Sequence, residues 1–73
     1  MSIEIKKLII MANQIGDFFE VNTNEELAKK DIADHLDKFW NSVMIKVIVA
    51  HVQQGGGTGL HPRVEDAIKQ YIT

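Results

Sequence analysis

The chain has 73 residues, no cysteine, one proline, 45% hydrophobic residues and a formal net charge of −2. That length holds one domain, and the missing thiols exclude disulfide staples, thiolate zinc or iron–sulfur ligation and thiol catalysis. The charge is wrong for a nucleic-acid binder, the longest apolar run, Val47 to Ala50, is far short of the about 20 residues that span a bilayer, and no secretory signal is visible, so a cytoplasmic protein with no nucleic acid or membrane partner is expected.

A first helix is predicted from about Ile3 to Phe19, with Ser2 as N-cap and Glu4 near the positive end of the dipole. At 100° per residue, Ile5, Leu8, Ile9, Ala12, Ile15, Gly16 and Phe19 share a wedge of roughly 120°, the width of a core-facing stripe. Ile3 and Ile10 fall outside it, on the side of Lys6, Gln14 and Asp17. Val21 to Asn24 breaks the pattern, and Thr23 with Glu26 three residues on makes a capping box for a second helix. There Ala28, Ile32, His35, Leu36 and Phe39 share the core side and Trp40 closes the helix, while the three-residue recurrence of Asp31, Asp34 and Asp37 is a solvated face.

Asn41 and Ser42 form a break before 43–54, a segment apolar almost all round. Its β-branched content admits a strand, but its length, lack of strict alternation and want of a strand partner favour a helix. An all-round apolar helix needs cover on more than one side, which a small bundle supplies poorly. Residues 55–61 read as a Gly-rich linker, with Gly55 as the left-handed residue ending helix three. Pro62 opens a short fourth helix to about Ile72, with Val64, Ala67, Ile68 and Tyr71 on one face. The expected fold is therefore all-α: a single domain over 1–73, a small three-helix bundle with a short fourth C-terminal helix.

Catalytic and metal motifs are absent from this pattern. The glycine run lacks the Gly-Lys-Ser/Thr ending of a phosphate loop, and Leu60 stands where a dinucleotide fingerprint needs its third glycine. His35, His51 and His61 are irregularly spaced, and no nucleophile or acid–base grouping is recognisable. What stands out is polar and aromatic chemistry placed in or beside apolar stripes. Asn13 and Gln14 beside Ile10 can each donate and accept, which suits reading another protein's backbone. Phe18, His35, Trp40, His51 and Leu60 complete a candidate partner interface, with Trp40 the best single anchor. Trp40 could equally staple helices two and three, and His51 could equally be a satisfied internal imidazole.

Two ordered blocks, Met11 to Phe19 and Ile32 to Trp40, together with Met44, His51, Gly59, Leu60, Pro62 and Val64, carry a family resemblance. Across about Leu8 to Ile68 the chain resembles the small delta subunit of molybdenum-containing, NAD-dependent formate dehydrogenase. The triple glycine and Arg63 depart from that pattern. The resemblance implies a non-catalytic accessory subunit whose partner is the large catalytic subunit. It also implies a complex whose larger subunits carry the molybdenum cofactor, iron–sulfur clusters, FMN and NAD, with no cofactor or metal held by this chain. The alternative is a free-standing helical interaction module that self-associates as a homodimer.

Overall fold

The computed structural model describes residues 4–72. It contains four α-helices, α1 (Ile5–Phe19), α2 (Glu25–Phe39), α3 (Ser42–Gly55) and α4 (Pro62–Ala67), the last running on into a π-helical segment, Ile68–Ile72. Among the described residues there is no strand, so the all-α expectation holds and 43–54 is helical. The Ser2 cap and the Ile3 start lie outside the described residues. Glu4 occupies the N-cap without a side-chain bond, its carbonyl accepting from the N–H groups of Lys7 and Leu8.

The second helix starts one residue later than the capping box implied. Asn24, not Thr23, is the cap, and its Oδ1 accepts from the Leu27 N–H at 3.1 Å. Glu26 is then too close to the cap to reach back to it, and its carboxylate is used elsewhere. Asn41 caps α3 in the same way, accepting from the Met44 N–H at 2.9 Å. Such caps contribute about 1 kcal/mol each and fix where the turns fall.

The core is built from one row or edge of each helix. Leu8 and Ala12 of α1, Ile32 and Leu36 of α2, Ile48 and Val52 of α3, and Val64, Ala67 and Ile68 at the C-terminus pack with Trp40 into one buried cluster. α2 lies against α1, α4 and the π-helical segment, and α3 lies against α1 and that segment. Met44, Ile45, Val47 and Val49 are only partly covered, so β-branched α3 is held helical by packing on one side while its other side stays half open. Gly16 is a notch in α1: a Cβ there would collide with Val64 Cγ2, and its absence lets α4 close onto α1.

Helix three ends one residue beyond the expected position. Gly55 is still helical, and Gly56 is the left-handed residue, with φ 69°. The His51 carbonyl accepts from the N–H groups of both Gly56 and Gly57, and Thr58 Oγ1 donates to the Gly55 carbonyl at 3.0 Å. The expected linker is thus a hydrogen-bonded turn. At the C-terminus Val64, Ala67 and Ile68 are buried as expected, but the π-helical widening carries Tyr71 outward to 43% exposure.

Candidate interaction surface

α1 is apolar on two opposite faces. Leu8, Ala12 and Gly16 form the buried row. On the far side Ile10, Met11, Gln14 and Phe18 share an arc of roughly 100°. Ile10 is 57% exposed and Phe18 73%. Single exposed apolar side chains are ordinary, but a contiguous strip along one helix face is the mark of a surface that becomes covered.

The strip continues from α1 onto α2 through rings. Phe18 meets Phe19 edge-on at a centroid distance of 5.0 Å, Phe19 meets His35 at 6.1 Å, and His35 meets Phe39 at 4.6 Å. His35 is half-buried, while Phe39 stands 72% exposed. Phe39 was expected on the core side. It is the last helical residue, and Trp40, turning to φ −92° and ψ 141°, takes the core position instead.

The other sequence-derived candidates fall into an internal group. Both ends of the Asn13 amide are engaged: Nδ2 donates to the Gly59 carbonyl at 2.9 Å and Oδ1 accepts from the His61 N–H at 2.9 Å. His51 Nε2 donates to the Thr58 carbonyl at 2.7 Å, and Leu60 packs against the core while its N–H donates to Gly57. Asn13, His51 and Leu60 therefore hold the glycine turn. Trp40 is buried at 7% exposure within the core cluster, which leaves little of its ring for a partner to contact. Of the eight candidates, Ile10, Gln14, Phe18 and His35 share the surface strip; Met11 and Phe39 join it without having been anticipated.

Charges around this strip oppose the helix dipole. Apart from Glu4 at the cap, the first turn of α1 carries Lys6 and Lys7 and no acid, and its last turn carries no base while Asp17 and Glu20 stand at that end. Each such misplacement costs about 0.3–1 kcal/mol at an exposed site. Beside it, Asp17 Oδ1 lies 3.2 Å from His61 Nδ1, and both residues line a cleft of about 440 Å³ together with Glu20, Glu25 and Arg63.

A second polar group ties α2 to the C-terminal helix. Lys29, buried at 7% exposure, lies 3.5 Å from Glu26 and 3.7 Å from Asp66, and the Tyr71 hydroxyl donates to Glu26 Oε2 at 2.8 Å. That hydroxyl, with Lys29 adding to it, holds the Glu26 carboxyl below its ordinary pKa, and the same bond pushes the Tyr71 phenol up. Burial draws the Lys29 ammonium down, but Glu26, then Asp66 and Glu25, outweigh it and the net direction is up. No signal of Lys29's burial is legible in the helical pattern, since the lysine depends on partners 3 and 37 positions away.

Among the described residues no group of three histidine, aspartate or glutamate side chains is placed to hold a metal ion, and no helix is long and apolar enough to cross a membrane. The described residues form a small all-α domain with one core and an uncovered apolar strip. The sequence model of the NADH-dependent formate dehydrogenase delta subunit FdsD matches residues 7–68, and the chain belongs to that family. No curated protein and no solved structure matches it. As a delta subunit it associates with other subunits of a formate dehydrogenase.

Proposed function

We propose that this chain is a non-catalytic accessory subunit that docks on the large molybdenum-containing catalytic subunit in the cytoplasm and supports its assembly or stability. The molybdenum cofactor, iron–sulfur clusters, FMN and NAD belong to the larger subunits in this reading. The observation that carries it is the exposed strip running from Ile10 and Phe18 to Phe39 in a chain of a subunit family. A small subunit that binds only the folded partner stabilises it by mass action, about 2.7 kcal/mol at a hundredfold excess over Kd, without any turnover of its own.

The test is co-purification of the large subunit with tagged Phe18→Ala and Phe39→Ala variants. Both side chains are largely in water, so the variants keep the fold, and recovery of the partner is expected to fall at least tenfold. Wild-type recovery with both variants folded would show the strip is not the docking surface.

A further inference from the structure

We infer that free copies of this chain pair with each other through the outer face of α1, antiparallel about a two-fold axis at Gln14, and that this pairing covers the docking strip until a partner subunit displaces it. The second half rests on the docking reading above. The first half rests on the layout of the face alone. Ile10 and Phe18 lie four residues on either side of Gln14, about 6 Å along the helix in each direction. A two-fold rotation at Gln14 therefore sets Ile10 of one copy against Phe18 of the other, twice, as an isologous contact requires. Gln14 meets its own symmetry mate, and a carboxamide both donates and accepts.

Charge selects the same arrangement. Lys6 is eight residues before the axis and Glu20 six after it, so the two fall within about two residue rises, 3 Å, of each other along the pair, on the flank of α1 that Asp17 also occupies. A parallel pairing would set lysine against lysine and acid against acid. The antiparallel one brings Lys6 and Lys7, which their own helix dipole disfavours, to the negative end of the neighbouring helix. A charge pattern that opposes its own helix becomes complementary to a second copy of it.

The chain's lack of cysteine gives a clean test in the full-length protein. Helices packed 8–10 Å apart bring facing Cα atoms on the axis to about 4–6 Å, within reach of a disulfide. Gln14→Cys is expected to cross-link under mild oxidant at least tenfold faster than Lys30→Cys, which sits on the solvent side of α2. Adding Lys6→Glu and Lys7→Glu should slow the reaction severalfold, and so should raised salt. Sedimentation of the unmodified chain should show a dimer that dissociates on dilution. Cross-linking at Gln14 no faster than at Lys30, or a monomer at every concentration, overturns the pairing. The oxidised Gln14→Cys dimer should fail to capture the large catalytic subunit and regain capture on reduction; equal capture in both states overturns the competition. A monomeric chain that still loses capture with Phe18→Ala would sink the pairing and leave the docking reading standing. A dimer with no capture by wild type would do the reverse.

Discussion

Asn13→Ala is the most informative single change, because it separates a side chain that reads like a surface amide from one that holds the fold. Its amide spans from α1 to the glycine turn through two hydrogen bonds of 2.9 Å, to Gly59 and from His61. Each such bond contributes about 1 kcal/mol net, and both orphaned backbone groups are near enough to water to recover part of it, so a loss of about 1–2 kcal/mol is expected. For a domain of this size that is a fall in Tm of about 5–15 °C. Gln14→Ala is the control: Gln14 is exposed and should stay within about 0.5 kcal/mol of wild type. Asn13→Asp refines the test. It keeps the acceptor for His61 but turns a carboxylate oxygen towards the Gly59 carbonyl, so it should be at least as damaging near neutral pH. Only the protonated acid can donate there, which raises the folded pKa of the introduced group. Its contribution is then fully present below the unfolded value, about 3.9, and lost as pH rises through the folded one. Thermal melts of the three variants from pH 3 to 8 decide the matter, the pH range being set by roughly that reference value. If Asn13→Ala melts with Gln14→Ala, the amide is not a structural clamp and the reasoning fails.

Gly16→Ala should destabilise by about 1–3 kcal/mol despite alanine's better helix propensity, because the new methyl meets Val64; a denaturant midpoint at or above wild type would refute the notch. Leu36→Ala, in the core, should cost about 2–5 kcal/mol and Phe39→Ala under about 1, so equal losses in chemical denaturation would mean that Phe39 is packed in solution. Glu26 has a lowered pKa in the folded state, so its contribution is present above the ordinary carboxyl value and lost as pH falls through the lowered one. Tyr71→Phe removes the largest cause of that shift and should flatten the acid side of a Tm-against-pH curve. An unchanged acid side would show that the hydroxyl is not bonded to Glu26.

The helices were legible because hydrophobic period is a local property. The Leu8, Ala12 and Gly16 row and the Ile32 and Leu36 pair follow from spacing alone, and so did the mismatch of Ile10 with that row. What spacing could not supply was which of two neighbouring polar groups a distant turn would claim. Asn13 and Gln14 look alike in sequence, yet Asn13 is consumed by residues 46 and 48 positions away. The exchange between Phe39 and Trp40 had the same origin: the helical wheel puts Phe39 on the core edge, but the helix stops there and the extended backbone of Trp40 turns the larger ring inward. Helix ends break the periodicity that locates side chains, and the last turn is where the surface strip was hardest to foresee.

The uncovered strip is large on the scale of the domain's own stability. Fully burying a large aliphatic or aromatic side chain contributes about 1.5–3 kcal/mol, and Ile10, Phe18 and Phe39 each keep more than half of their surface in water. Covering all three is therefore worth roughly 3–6 kcal/mol before the costs of association. A chain of this length is stable by only about 4–11 kcal/mol in total. Contact at the strip is thus comparable in size to folding itself, so whatever covers that face should raise the chain's apparent stability by an amount of the same order as a large core substitution removes.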